Sequence, residues 1–182
     1  MAQPAILLKF GWLSRRYDFA RLGRMWLALP MFGLAAGAAA APPAHIAFAG
    51  GHWVAIEFGS RCEARSRPLG LKAGTQPFAG FSFDRSGRPH GQFYVHLGRA
   101  ARAGATVIAT FGDQPFLLAG KGDWAWSVNG AQQQAIVRAA RYAPSLRIES
   151  RDTSGQRIVD RYDLSGAATA IDAAAAACAG KS

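Results

Sequence analysis

The chain has 182 residues, of which 50% are hydrophobic and 18% are charged. This length leaves little room for a second sizeable core, and scarce charge together with 21 glycines favours strands and turns over long solvated helices. The net charge is +10, and the part after residue 42 contributes +6 of it, from 16 basic and 10 acidic residues. A mildly basic domain gives weak support for anionic partners.

The N-terminal segment has the three parts of an export signal. Basic residues end at Arg24, an apolar stretch runs from Met25 to about Ala39, and small residues up to Ala41 offer A-x-A cleavage sites. We therefore predict a signal peptide over residues 1–41 and a periplasmic or secreted protein.

Three alternatives concern this segment. Its apolar stretch of about 15–17 residues is short for a membrane-spanning helix, and an uncleaved N-terminal anchor is the alternative to cleavage. The leader before Met25 is long, which a true start at Met25 would explain. The sequence "SRRYDFA" suggests twin-arginine export, although Asp18 stands where that signal has an apolar residue.

The segment "HWVAIEFGSRCEARSR" alternates between apolar and charged residues. This period of two predicts a strand whose buried face is formed by Val54, Ile56, Phe58, Ser60, Cys62 and Ala64. The exposed face would carry the charges, namely Glu57, Arg61, Glu63, Arg65 and Arg67. A two-residue hairpin at Gly59-Ser60 would place Arg61 on the face of Phe58, so we expect one long bent strand, a bulge or an odd-length turn.

Seven further strand-like runs follow, separated by turn residues. The runs "FAGFSFD" and "GQFYVHLGR" flank "RSGRP" and predict a hairpin. The runs "GATVIATF", "QPFLLAG" and "WAWSV" come next, and "SLRIESRD" with "QRIVDRYDL" forms a last hairpin around Thr153-Ser154-Gly155. Before that hairpin, "NGAQQQAIVRAARY" changes to helical spacing, with Asn129 as the expected cap.

An alanine-rich helix is predicted at the C-terminus, between a cap at Ser165 and an end at Gly180. Its apolar stripe consists of Leu164, Ile171, Ala174, Ala175 and Cys178. The chain has two cysteines, and both Cys62 and Cys178 are thus expected to point to the core. In an exported protein this predicts a disulfide between them, with two separate buried thiols as the alternative.

These patterns predict a mainly β fold. We expect an antiparallel β-sandwich or flattened barrel of about eight strands, with one short internal helix and a C-terminal helix. We place a short linker at residues 42–50 and a single β-rich domain at residues 51–182.

Three motifs resemble the invasion-associated locus B family of exported α-proteobacterial proteins. They are the Trp-containing strand and cysteine of "HWVAIEFGSRCEA", the helix "QQAIVRAAR" after a Trp strand, and the closing "DRYDLSGAATAI". The resemblance covers most of residues 50–180 and implies an all-β exported domain with no known catalytic residues. Some members of the family are linked to host-cell entry, a role that these motifs do not extend to this chain.

The sequence matches no catalytic or metal-binding template. The stretch "GFSFD" lacks the flanks of a nucleophile elbow, and "GKGD" lacks the length and the hydroxyl residue of a phosphate loop. No ligand spacing relates the cysteines to the four histidines, which are His45, His52, His90 and His96. We therefore predict no catalytic residue, no metal site and no cofactor.

Tryptophans form the first candidate for binding. Trp124 and Trp126 share one face of a strand and, with Trp53, are candidates for an aromatic platform that holds a sugar or an apolar tail. The alternative is packing in the core or at its rim.

Arginines form the second candidate. Arg61, Arg65 and Arg67 share an exposed strand face that would dock on an anionic envelope surface. The last hairpin adds a further group, namely Arg147, Arg151, Arg157 and Arg161. The alternative is a solvated face in which acidic residues are interleaved with the arginines.

We thus predict an exported, envelope-associated, non-enzymatic binding or structural domain. The expected partner is an envelope polymer, a lipid surface or a protein, with no nucleic acid and no spanning helix after signal cleavage. A small disulfide-tied inhibitor or accessory protein of an envelope hydrolase is the alternative, and an enzyme with an unrecognised site is a third class.

Overall fold

The computed structural model describes residues 43–71, 74–85 and 91–179, which contain ten strands and two helices. The strands are β1 (His45–Gly50), β2 (Trp53–Phe58), β3 (Arg61–Ser66), β4 (Phe78–Asp84), β5 (Gln92–His96), β6 (Val107–Phe111), β7 (Gln114–Lys121), β8 (Trp124–Trp126), β9 (Ser145–Arg151) and β10 (Arg157–Asp163). The helices are α1 (Gly130–Tyr142) and α2 (Ala167–Ala179). The predicted signal peptide, residues 86–90 with His90, and the predicted helix end at Gly180 lie outside the described residues.

All ten strands belong to one antiparallel sheet, in the order β1-β2-β3-β4-β5-β8-β7-β6-β9-β10. Within the described residues β1 and β10 stand at the two ends of the sheet, which is not closed. This confirms the predicted mainly β class and is consistent with a sandwich or flattened barrel. The count exceeds the expected eight because β1 lies inside residues 42–50, predicted as a linker, and because one expected strand is divided into β2 and β3.

The expectation of a long bent strand, a bulge or an odd-length turn is wrong, because β2 and β3 form a hairpin with a two-residue turn. Phe58 pairs with Arg61 across Gly59-Ser60. Gly59 has a φ of 56°, a left-handed conformation that glycine adopts without the usual steric penalty. The two-residue turn therefore places Arg61 on the face of Phe58.

This register decides which face of β2 is buried. Trp53 and Ala55 point to the core, with Trp53 only 1% exposed. The other face carries the residues predicted to be buried, namely Val54, Ile56 and Phe58. On β3 Cys62 and Ala64 are buried as predicted, but Glu63, which was predicted to be exposed, is buried as well, because Arg65 and Tyr94 bond its carboxylate. Because a two-residue turn joins β2 and β3, the buried positions of the two strands cannot all belong to one unbroken alternation along the sequence. Burial of the large Trp53 indole favours the face of β2 that points to the core.

Two helices cover the core. α2 packs against β1, β2, β3 and β4, and α1 packs against β5, β6 and β7 and touches α2. The predicted cap of α1 is confirmed, since the Asn129 side chain accepts a hydrogen bond from the Gln132 backbone N–H at 2.9 Å. Gln133 ties α1 to β5, because its Oε1 accepts from the backbone N–H of Phe93 at 2.7 Å.

The predicted disulfide is confirmed. Cys62 on β3 and Cys178 in the last turn of α2 are bonded, with an Sγ–Sγ distance of 2.13 Å and a Cα–Cα distance of 5.7 Å. The bond joins residues 116 positions apart and holds the end of α2 on the sheet beside the apolar contacts of Ile171 and Ala174.

Candidate functional site

A cleft of about 730 Å³ lies on the outer face of β3, β4, β5 and β8. Side chains alternate along these strands, so that residues between the buried positions reach this face. The register aligns them in four cross-strand rows: Arg61 with Asp84; Glu63 with Ser82 and Gln92; Arg65 with Gly80, Tyr94 and Trp126; and Phe78 with His96 and Trp124. Phe78 and His96 continue the face beyond the cleft itself. Charged and amide groups thus lie at one end of the cleft and aromatic rings at the other.

Glu63 forms the polar centre of the cleft. Its side chain is only 2% exposed, and its Oε2 accepts a hydrogen bond from the Tyr94 hydroxyl at 2.7 Å and another from Arg65 Nε. Arg65 Nε also lies 2.9 Å from the Tyr94 oxygen, and Arg61 Nη1 lies 3.6 Å from Glu63 Oε1. These contacts satisfy a buried acid that would otherwise be costly to bury.

Burial and the neighbouring charges shift the pKa of both partners of Glu63, Tyr94 and Arg65. Burial raises the pKa of Tyr94 far above its ordinary value, and the hydrogen bond and charge of Glu63 raise it further. For Arg65, burial by itself lowers the pKa, but the interactions with Tyr94 and Glu63 outweigh it, so the pKa is raised. Tyr94 is therefore a neutral hydrogen-bond donor and Arg65 a fixed cation.

Aromatic rings form the other end of the face. Trp124 lies 4.8 Å from His96 and 5.6 Å from Phe78, centroid to centroid. Phe78 stacks on His96 at 5.2 Å, and the guanidinium carbon of Arg65 lies 4.8 Å from the Phe78 centroid. Trp124 is 40% exposed, so part of its ring is available to a ligand.

Two local features hold these rings in place. Gly80 leaves room for Tyr94, since a Cβ at Gly80 would lie 2.8 Å from the Tyr94 hydroxyl oxygen. The two ring nitrogens of His96 each have a partner at 3.0 Å, the Gln76 carbonyl oxygen at Nδ1 and Asp123 Oδ2 at Nε2. The aromatic end of the face is thus set before any ligand arrives.

The structure brings together only some of the predicted site residues. Trp124 and Trp126 line the cleft, but Trp53 lies on the opposite, core face and is not part of a platform with them. Arg65 is engaged by Glu63 and Tyr94 inside the cleft, and Arg61 stands at its rim. Arg67 is exposed beyond the end of β3 and does not line the cleft.

The sequence did not identify four residues of this face as site residues. They are Glu63, Phe78, Tyr94 and His96. A pattern that could have identified three of them is present, because Phe78, Tyr94 and His96 occupy alternate positions of "FAGFSFD" and "GQFYVHLGR". In paired strands such positions lie on one side of the sheet. Their assembly with Trp124 depends on β5 pairing with β8, a contact between strands separated by β6 and β7 in the chain.

The remaining histidines of the described ranges form local contacts. His45 Nδ1 lies 3.3 Å from Glu57 Oε1, and His52 Nε2 lies 3.8 Å from Asp163 Oδ2. Across residues 43–71, 74–85 and 91–179, no group of three or more His, Cys, Asp or Glu side chains is arranged to hold a metal ion. In the same ranges no helix has the length and apolar character needed to cross a bilayer.

Comparisons with protein-family models, with curated proteins and with solved structures found no match to this chain. The resemblance to the invasion-associated locus B family therefore stays a prediction from its three motifs.

Proposed function

We propose that this chain is an exported, envelope-associated binding domain that holds a saccharide in the cleft without transforming it. The observation that carries the proposal is the exposed ring of Trp124 beside the fixed Arg65, Glu63 and Tyr94 groups. The family resemblance, with its implied non-catalytic exported domain, belongs to the same proposal.

A saccharide suits this combination of surfaces. A sugar ring has an apolar face that stacks on an aromatic side chain, and hydroxyl edges that need donors and acceptors. The cleft offers both, because Gln92 and Ser82 line it together with the tryptophans. An apolar tail could form no hydrogen bonds with this polar lining, whereas the hydroxyl groups of a saccharide can. Strands about 4.8 Å apart make the floor of β4, β5 and β8 roughly 10 Å wide, enough for one or two sugar rings.

The non-enzymatic part of the proposal rests on the state of Glu63. A general acid or base in a hydrolase must exchange its proton with the substrate. Glu63 is instead 2% exposed and bonded to Arg65 and Tyr94, which suits an orienting role in the cleft.

The test uses peptidoglycan sacculi and soluble N-acetylglucosamine oligomers as probes. We expect binding by the wild type, loss of at least roughly tenfold in affinity for Trp124→Ala, and no release of sugar from the sacculi. Tyr142→Ala is the matched control, because Tyr142 is an aromatic side chain 86% exposed on α1 and does not line the cleft. Equal binding by Trp124→Ala, or release of sugar, would refute the proposal.

Export is tested separately. Protein recovered from the periplasm should have its N-terminus near residues 40–44, where the A-x-A sites end. The inhibitor alternative gives a different outcome, since immobilised protein would then retain an envelope hydrolase and the saccharides would not bind.

A further inference from the structure

A second charged surface lies on the outer face of β9 and β10, away from the cleft. It consists of four exposed residues, Arg147, Arg151, Arg157 and Arg161, here called the arginine face. The strand register places Arg161 directly opposite Arg147, and Arg157 directly opposite Arg151. Like charges directly opposite each other on neighbouring strands destabilise a sheet. The two pairs therefore cost stability, which is offset in part by the hydrogen bond from Arg151 Nη1 to the Gly155 carbonyl oxygen at 3.0 Å.

Acidic groups offset this charge only in part. Glu149 lies between the two pairs. Its Oε2 lies 3.0 Å from Arg147 Nε, and its Oε1 lies 3.0 Å from Arg157 Nη2. Asp163 shares this side of β10, but its Oδ1 accepts a hydrogen bond from the Ser165 backbone N–H at 2.6 Å. Asp113 lies at the rim beside Arg147. Four arginines around one central glutamate leave a clear positive excess, which Arg102 extends at the other end.

Apolar side chains lie on both sides of Glu149. Ile108 on β6 pairs with Glu149 on one side and with Leu117 on the other, and Val159 pairs with Glu149 on β10. Leu117 is 61% exposed. Val159, Ile108 and Leu117 thus flank Glu149 in one cross-strand row. This row runs at the level between the two arginine pairs, which lie four residues apart on each strand, about 13 Å.

We propose that the arginine face docks the domain on a bilayer surface rich in anionic phospholipid. The phosphodiester groups of the lipids would bind the paired guanidinium groups, because each guanidinium is planar and can donate two parallel N–H bonds to a phosphate. The exposed Leu117 and its neighbours would reach the boundary of the acyl chains, while the arginine stems extend along the surface. An open sheet face with apolar side chains beside its arginine pairs fits a bilayer, because a bilayer offers a broad apolar layer directly beneath its phosphate groups.

The test uses the chain from Ala40, because the compact unit Ala40–Ser182 contains the core residues of the described ranges, from Trp53 to Cys178. Sedimentation with vesicles of phosphatidylglycerol and phosphatidylcholine is compared with vesicles of phosphatidylcholine alone. We expect binding only to the anionic vesicles, and binding should weaken as salt rises.

The decisive variant is Arg151→Gln with Arg161→Gln, which removes one member of each like-charged pair and leaves both ion pairs of Glu149 in place. Vesicle affinity should fall roughly 10- to 30-fold. The melting temperature should change little, because relief of the two like-charged pairs offsets the lost hydrogen bond from Arg151 to the Gly155 carbonyl oxygen. The matched control removes the same charge from the face predicted from sequence, as Arg61→Gln with Arg67→Gln, and should bind as the wild type does.

Several results would overturn the inference. They are equal binding to neutral vesicles, an equal loss in the control variant, or binding to soluble dextran sulfate without binding to vesicles, which would point to a polymer. Trp124→Ala should leave vesicle binding unchanged, so failure of this proposal and failure of the saccharide proposal can be told apart.

Discussion

The indole N–H of Trp53 donates a 2.9 Å hydrogen bond to the backbone carbonyl oxygen of Asp163, 110 residues further along the chain. Trp53 opens β2, second in the strand order, and Asp163 closes β10, the last. The backbone N–H of His52 also donates to the Ser165 carbonyl oxygen at 3.1 Å. These bonds bring the two ends of the sheet together around the core although β1 and β10 are the outer strands of the described sheet.

Trp53→Phe tests this contact. The variant keeps an aromatic ring against Phe81, whose centroid lies 6.0 Å from that of Trp53, but removes the donor to Asp163. We expect a loss of about 1–3 kcal/mol in the free energy of unfolding, because a part-buried carbonyl group loses its partner and the smaller ring leaves space in the core. Urea unfolding of the variant measures it. An unchanged free energy of unfolding would show that the bond does not hold the sheet ends together.

Two glycines allow the backbone before Trp53 to approach the backbone that follows β10. A Cβ at Gly51 would lie 2.2 Å from the Ser165 carbonyl oxygen, and one at Gly166 would lie 2.3 Å from the Gly50 carbonyl oxygen. Gly104 has a similar φ of +74° but open space around it. We expect Gly51→Ala and Gly166→Ala to destabilise by about 1–3 kcal/mol more than Gly104→Ala, because only they add a clash to the backbone cost. Thermal unfolding of the three variants compares them, and equal losses would contradict this packing.

The disulfide should stabilise the attachment of α2. Replacing Cys62 and Cys178 by alanine should lower the free energy of unfolding by up to about 4–5 kcal/mol, the chain-entropy value for a loop of this size. Amide exchange should rise first in α2, because its buried side chains are mostly methyl groups. The control is Arg141→Gln, which breaks an exposed ion pair with Asp172 at 3.0 Å and should change stability by less than about 1 kcal/mol. Unchanged exchange in α2 without the disulfide would contradict this prediction.

Tyr94 should make the fold sensitive to alkaline pH. The pKa of Tyr94 in the folded state is raised by burial and by Glu63. Its contribution to the free energy of unfolding is therefore fully present below its unfolded pKa of about 10. That contribution is lost as pH rises through the folded pKa. Tyr162 has the same direction of shift through burial and Asp160. Tyr94→Phe should therefore reduce, without abolishing, the fall in unfolding free energy above about pH 10.

Urea unfolding at a series of pH values measures this effect. At neutral pH, Tyr94→Phe should also cost about 1–3 kcal/mol, because Glu63 loses a hydrogen bond in a buried site. Tyr142→Phe, on an exposed ring of α1, should match the wild type at every pH. An identical alkaline decline in Tyr94→Phe and the wild type would exclude Tyr94 as a source.

Local chemistry made much of the fold predictable from the sequence. Turn residues separate the strands, and Asn129 marks the start of α1 because its side chain bonds the Gln132 N–H. The pairing of Cys62 with Cys178 followed from the prediction of export together with two cysteines, each on an apolar face. These features depend on neighbours in the sequence, on residue counts and on the predicted compartment.

Tertiary structure alone decided the face of β2 and the composition of the cleft. Alternation in the sequence allows either face of a strand to be buried, and the two-residue turn at Gly59-Ser60 with burial of Trp53 selected one. Trp124 meets Tyr94 because β8 pairs with β5 across two intervening strands of the chain. Such long-range register follows from packing of the whole core, and so no local pattern could show that Trp53 and Trp124 lie on opposite faces of the sheet.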